Sequence, residues 1–395
     1  MIRKSSALLA MAATALLAAS LVIGCGGGAA TPAATSVPQP AAAAKPAAPE
    51  PTKAPAAEAA KPAAPTQAPA AAPTKAPVVE AAKGFYEGKT INVILPNSAG
   101  QGNDTTIRYT TPYVKKYANA KDVLVENAVG AAGLKGFNQI YVAKGDGLTL
   151  GSGSLMSMLL QQLSEQEGRQ FDANKFQYLG RVYTEQRVLI VPAKSPIKSV
   201  EDVLKLGRPV VMPIQGPDED FLSMALVNKL LGIPTKVITG YAGQADVFLA
   251  VLRGEGDWAG TGIRSAQPLI KQGDMRPIMV IGSQRHKDYP DVPTAAEVVK
   301  SAEAKPLIDA VNNVVDLNLN YWAPPSVDPK VVAEARSIFG KALTDQEAVS
   351  QAQAKIGGRS ISYMSGEDVQ KRVAQVLAEG GKLTPILKEA LAALK

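Results

Sequence analysis

Cysteine and histidine each occur once in the 395 residues, as Cys25 and His286. A single cysteine excludes an intrachain disulfide and a cysteine-based zinc site, and a single histidine excludes a histidine metal cluster. Aromatic residues make up only 5% of the chain and no Lys/Arg-rich run interleaves with them. The stacking platforms and basic stripes of a nucleic-acid binder are therefore missing, and the formal net charge of +7 is a modest excess for this length. No G-x-x-x-x-G-K-[ST] phosphate loop and no G-x-S-x-G nucleophile elbow occurs. His286 lies in the polar run Gln284-Arg285-His286-Lys287 and reads as a solvated loop residue, not a general base. These absences argue against an enzyme and call for no cofactor or metal.

The N-terminus carries what the rest lacks, a long apolar run. Arg3 and Lys4 precede residues Ala7 to Ile23, the pattern of a secretory signal. The run ends in Val22-Ile23-Gly24-Cys25, which resembles the lipobox of bacterial lipoproteins, with Val22 where Leu is usual. This predicts a signal over 1–24 and lipidation at Cys25. The stretch 25–83 is Ala, Pro and Thr with few large apolar side chains. It buries too little surface to offset its ordering entropy and is expected to be a disordered tether. An extracytoplasmic, lipid-anchored protein is expected.

From Gly84 onward, short apolar runs alternate with helical patterns. Ile91, Val93 and Ile94 predict a strand, Pro96 to Asn103 a small-residue loop, and Asp104-Thr105 the opening of a helix. Val123–Val125, Leu148–Gly151, runs to Val191, "RPVVMP", "TKVITGY", "DWAG" and "MRPIMVIGS" predict further strands, with mainly helix after "NYWAPPSVDP". Strands alternating with helices predict α/β lobes with largely parallel sheets, whose ligands sit where loops meet helix N-termini.

Three such junctions are rich in donors. They are Gly100-Gln101-Gly102-Asn103-Asp104-Thr105, Gly151-Ser152-Gly153-Ser154 and Tyr241-Ala242-Gly243-Gln244-Ala245. The first is GxGxxT rather than the dinucleotide fingerprint GxGxxG. Backbone amides at a helix N-terminus suit an anion, and no base accompanies them, so the pattern favours holding an anion over reacting on it. A carboxylate pair formed by Asp104 and Asp257 is an alternative; a helix cap plus a loop carboxylate is the plainer one. Trp258 and Trp322 are candidates for a cleft wall or for the core.

In this order the segments resemble one family. "ILPNSAGQGND" is similar to the opening V-P-F-x-x-G-G-x-x-D of the substrate receptors of tripartite tricarboxylate transporters, the Bug-type receptors. "VLVENAVGAAG" resembles their V-V-V-E-N-R-x-G-A-G-G, and "AKGDGLTLGSGS" their A-x-P-D-G-Y-T-L. "GYAGQADVFLAVLRGEGDWAG", "SQRHKDYPDVPTAAE" and "YWAPPSVDP" match later signatures in sequence, so the resemblance runs from Phe85 to about Lys395. It implies a two-lobed α/β periplasmic-binding-protein (Venus-flytrap, type II) fold with two interlobe crossings. Lobe 1 is expected at 84–189 and 318–395, and lobe 2 at 190–317. It further implies a small organic carboxylate or amino acid ligand, delivery to integral-membrane permease subunits, and a monomer. A sensor that signals to a membrane-bound partner is the alternative.

Carried over, the ligand-binding candidates are Ser98, Ala99, Gly100, Gln101 and Gly102 with Asp104, then Ser152, Gly153 and Ser154, then Tyr241, Ala242 and Gly243. Gln215, Gly216, Asp218 and Asp257 complete the set from the second lobe. The sequence departs from the family pattern at Asn97, Gln101 and Val129, and most at Gln215-Gly216-Pro217-Asp218-Glu219-Asp220, where the family has S-x-G-x-G-S. Three acids in a first helical turn complement the helix dipole, so a solvated cap is the preferred reading. The sharper one is that an acid faces the cleft, which would ask for an ammonium or other donor on the ligand.

Overall fold

The computed structural model describes residues 84–394. The signal, Cys25 and the tether to residue 83 lie outside the described residues, and with them the expectations made for those segments.

Strand β1 (Thr90–Leu95) buries Ile91, Val93, Ile94 and Leu95 and leads into α1 (Gly102–Ala118). The helix begins two residues earlier than expected. Gln101, not Asp104, is its N-cap, with extended backbone and no side-chain cap. Asp104 instead reaches back from the third helical position and accepts the amide of Gly100, the residue before the N-cap, at 2.9 Å. Strand β2 (Asp122–Asn127), helix α2 (Leu134–Tyr141), strand β3 (Thr149–Ser154) and helix α3 (Leu155–Leu163) follow, then strand β4 (Gln177–Tyr183). Nearly every side of α3 is buried, in keeping with its all-round apolar sequence LMSMLLQQL.

Strand β5 (Arg187–Pro192) opens a second group. It comprises α4 (Val200–Leu204), β6 (Val210–Pro213), α5 (Glu219–Leu230), β7 (Thr235–Ile238), α6 (Gln244–Leu252), β8 (Ala259–Gly262), α7 (Ile263–Gln272), β9 (Met275–Ile281), α8 (Ala295–Val298) and α9 (Lys305–Val315). The chain then returns through β10 (Leu319–Ala323), α10 (Pro329–Leu343), α11 (Gln346–Lys355), β11 (Met364–Ser365), α12 (Gly366–Glu379) and α13 (Thr384–Ala392).

The first sheet has the order β11-β4-β10-β3-β1-β2, the second β8-β5-β9, and β6 pairs with β7. The expectation of largely parallel sheets is corrected. Between these strands, among the described residues, pairing is parallel in β1 with β2 and β3 and in β6 with β7, where βα units succeed one another. Strands β4, β5 and β10, which flank the passages between the sheets, pair antiparallel with their neighbours. The first passage falls at residues 184–186 rather than at 189/190, because Arg187–Pro192 pairs with β8 and β9 and not with the first sheet. Asp257 donates its amide to Val211 at 2.8 Å, so the β6–β7 pair meets the β8 end of the second sheet.

One apolar cluster joins the two groups. It runs from Phe137, Phe176 and Trp322 through Leu159 and Leu160 on α3 to Phe221 and Leu226 on α5 and Ile281 on β9. Trp322 packs against Phe137 and Phe176, and Trp258 is fully buried in the same cluster. Both tryptophans are core residues.

Candidate functional site

The loops at the ends of β1, β2, β3, β6 and β7 enclose a cavity of about 610 Å³. From the first group it is lined by Ser98, Gln101, the Val129–Gly133 turn, Ser154, Ser157 and Gln161, and from the second by Gln215–Asp220 and Ala242. A second chamber of about 290 Å³ shares Asn97, Gln101, Gln215, Glu219 and Asp220 with it, and adds Gly102, Arg187 and Arg359.

The turn after β2 is strained where it meets the cavity. Ala131 and Ala132 have φ of 48° and 52°, a left-handed conformation that costs a residue with a β-carbon. It is held by α3: Gln161 donates its side-chain amide to the Ala132 carbonyl at 2.8 Å and Ser157 donates its hydroxyl to the same oxygen at 3.3 Å.

Of the residues named from sequence, Ser98, Gln101, Ser154, Gln215, Gly216, Asp218 and Ala242 line the larger chamber, and Gly102 lines the smaller. Ala99 and Gly100 sit on the exposed crest of the first loop, outside both linings. Asp104 lies beneath that loop, 3% exposed, with Arg108 at 3.0 Å and Asn127 at 2.9 Å. Burial works to raise its pKa, but these hydrogen bonds and the Gly100 amide hold it below the ordinary value. It supports the loop rather than the ligand. Ser152 is buried and donates to the Asn320 carbonyl at 2.8 Å, and Gly153 packs against Pro96 and Trp322. Tyr241 donates its hydroxyl to Glu255 at 3.2 Å, and Gly243 caps α6. None of these four lines either chamber.

Asp257 is also outside. It receives two hydrogen bonds from Arg208, at 2.7 and 2.8 Å, and one from the Val211 amide at 2.8 Å. Asp104 and Asp257 each have their own arginine, and the carboxylate-pair reading is replaced by two separate structural anchors. His286 accepts the Asp288 amide at 3.2 Å and stacks on Tyr289, away from the cavity lining. Among the described residues no three His, Cys, Asp or Glu side chains gather to hold a metal ion.

The acidic segment does more than cap. Asp218 is the N-cap of α5 and accepts the Phe221 amide at 2.9 Å, yet Asp218, Glu219 and Asp220 all line the larger chamber. The solvated-cap reading is thereby corrected. Its partner is a residue that the sequence reading passed over. Arg187, 5% exposed on β5, pairs with Glu219 and with Asp220, the latter at 2.7 Å. Glu219 also accepts the Ser154 hydroxyl across the two groups. The signal was present, since an arginine opening the apolar run R-V-L-I-V requires a buried counter-charge.

Two carboxylates share this one guanidinium. Burial would lower the pKa of Arg187, but Glu219, Asp220 and Glu185 raise it, so it stays charged. Burial pushes Asp220 up to about 7 against the pull of Arg187, with Asp218 and Glu219 adding to the rise. Asp218 is raised for the same first reason, despite the Phe221 amide. The cavity lining holds hydroxyls, amides and carboxylates but no Lys, Arg, His or Cys, a set suited to holding a polar solute.

Two α/β halves joined by two passages, with a polar cavity between their loops, form the periplasmic-binding-protein fold. The profile of the tripartite tricarboxylate transporter family receptor matches residues 113–389, and the chain belongs to that family. Its members are solute-binding receptors, not enzymes. The chain is 24% identical over 273 residues to the UPF0065 protein in the gbd 5' region of Cupriavidus necator, covering 65% of this chain and 75% of that one. A TctC solute binding protein from Polaromonas aligns with a TM-score of 0.59 at 21% identity, over 76% of this chain and 99% of its own. MatC from Rhodopseudomonas palustris, with bound malate, aligns at 0.58 and 20% identity, over 75% and 99%.

Proposed function

We propose that this receptor captures a small organic carboxylate in the cavity between its two halves and delivers it to a membrane permease of the tripartite tricarboxylate type. The observation that carries the proposal is that both halves line one polar cavity, with Ser98 and Gln101 on one side and Gln215, Gly216 and Ala242 on the other. A solute bound there contacts both halves at once, the requirement for capture by closure. The malate held by MatC, on the same fold, supports the ligand class. The donors proposed for the carboxylate are the Ser98 hydroxyl, the Gln101 amide and the N-terminal amides of α1, whose dipole favours an anion and whose N-cap has no side-chain partner. The motif ending at Cys25 supports lipid anchoring outside the cytoplasm, and the receptor is proposed to act as a monomer.

The test is thermal unfolding of the full-length chain against di- and tricarboxylates, aromatic acids and amino acids. A ligand that binds only the folded state at about 100 times its dissociation constant adds roughly 2.7 kcal/mol, enough for a clear rise in melting temperature. A rise with one carboxylate class is expected. No rise across the panel overturns the proposal.

A further inference from the structure

Ser154 and Arg187 together make a site for a carboxylate, and a carboxylate of the protein already occupies it. The Ser154 oxygen accepts the Ser157 amide at 3.1 Å as the N-cap of α3, so its hydrogen is free to point elsewhere, and it points to Glu219. The same Glu219 carboxylate receives the buried Arg187 guanidinium. A hydroxyl from one half and a guanidinium from the other are what an entering solute carboxylate would need, and both are engaged.

The surroundings of Glu219 are polarised. Asp218 and Gln161 line the larger chamber and not the smaller, whereas Asp220, like Glu219 itself, lines both. Gln161 is 2% exposed, and the orientation of its amide is fixed because the Ala132 carbonyl only accepts. Its oxygen is therefore left without a hydrogen-bond partner, a buried acceptor in the cavity wall awaiting a donor. Beside the carboxylates of Glu185, Glu219 and Asp220, the smaller chamber holds several donors without a hydrogen-bond partner. Gln244 Nε2 and Arg359 Nε have no hydrogen-bond partner, and Glu185 stands 3.7 Å from Arg359. The Arg359 guanidinium lies over Gly102 at the start of α1, so close that a β-carbon there would stand 2.7 Å from its Cζ.

We propose that Glu219 is the specificity-determining residue of this receptor. By filling the anion position between Ser154 and Arg187 it rejects a second carboxylate there, and it selects a solute whose far end is an ammonium or an amide N–H, placed in the larger chamber. The inference rests on the receptor function proposed above and narrows its ligand to a zwitterion or a carboxylate with an amide end. The single carboxylate of such a solute is left to the first loop, where Ser98, Gln101 and the α1 amides lie, on the side from which Arg359 faces Gly102. Asp220 already shares the Arg187 guanidinium with Glu219, so a third carboxylate there would have no counter-charge of its own.

The experiment compares matched series on the full-length chain by titration calorimetry: glutarate, 4-aminobutyrate and glutaramate, then succinate, β-alanine and succinamate. The wild-type protein is expected to bind the amino- or amide-ended member at least about tenfold more tightly than the dicarboxylate, since like charges placed together cost several kcal/mol. Glu219→Gln is expected to reverse that order, with a gain of about tenfold or more for the dicarboxylate. If Glu219→Gln does not fold, Glu219→Asp, too short to span Ser154 and Arg187, is expected to lose the discrimination. Binding with an unchanged rank order in the folded variant overturns the role of Glu219 and leaves the receptor function standing. Binding of no member by either protein overturns this inference, while the receptor function stands or falls by the wider thermal panel described above.

Discussion

Asp104 accepts the side-chain amide of Asn127 at 2.9 Å, linking the first turn of α1 to the end of the neighbouring strand β2. The same carboxylate holds the Gly100 amide and pairs with Arg108, and Asn127 donates a second bond to the Asn97 carbonyl at 2.8 Å. The loop that lines the cavity is thus pinned from below at both ends. Asp104→Ala removes a buried carboxylate that accepts from Gly100, Asn127 and Arg108, and the loss of these charge-assisted hydrogen bonds is expected to cost about 1.5–3 kcal/mol. Ligand affinity should fall as well, because the loop loses its preorganisation. Urea unfolding and calorimetric titration check the two effects. A variant of wild-type stability would show that the loop is held by other means.

Gly151 faces Trp322 across the β3–β10 ladder. A β-carbon at 151 would fall within the contact distance of the indole nitrogen and stand 2.8 Å from Ile140 Cδ1. Both neighbours are fully buried and cannot withdraw without moving the core. Gly151→Ala should therefore destabilise by about 1–3 kcal/mol, through overpacking and not through backbone strain. The measurement is the urea midpoint together with an unchanged slope. No loss of stability would mean that Trp322 has an alternative packing.

These two sites mark where the sequence was legible and where it was not. The strand–loop–helix of residues 90–118 was readable because a buried apolar run, a small-residue loop and a first-turn acid are local signals. The roles of the acids were not, because their partners are distant: Arg208 finds Asp257 49 residues on, and Arg187 finds Glu219 32 residues on. Gln161 was hidden inside the apolar helix LMSMLLQQL, where only the strained turn that it supports gives it a role. The antiparallel strands escaped prediction for a related reason. Strand direction follows from how the chain passes between the two halves, and no periodicity within a strand records that.

Ser154 joins α3 to the acidic start of α5, so its two bonds can be separated by mutation. Ser154→Ala removes the cap on α3 and is expected to cost about 1 kcal/mol from that alone. The contact with Glu219 should appear as non-additivity in a cycle of Ser154→Ala, Glu219→Gln and the double variant. Residues in direct contact give interaction energies of about 0.5–3 kcal/mol. Additive losses would mean that the two side chains do not interact in solution.

Asp220 gives the site a pH dependence of definite sign. Its ordinary pKa is 3.8 and burial raises it to about 7 in the folded chain, with Asp218, Glu219 and Glu185 adding and Arg187 opposing. Between those values the folded state holds a proton that the unfolded state has released. The slope of stability against pH follows the difference in bound protons, unfolded minus folded, and is therefore negative over this window. The contribution of Asp220 is complete below its unfolded pKa and is lost as pH rises through about 7. Asp104 acts oppositely, since its lowered pKa adds stability above its ordinary value that is lost on acidification. Asp220→Asn cannot titrate, so relative to wild type it should gain stability steadily as pH is raised from about 5 to about 8. Urea midpoints of the two proteins across that range test this: converging or crossing curves are expected, and parallel curves would show that Asp220 is ionised throughout.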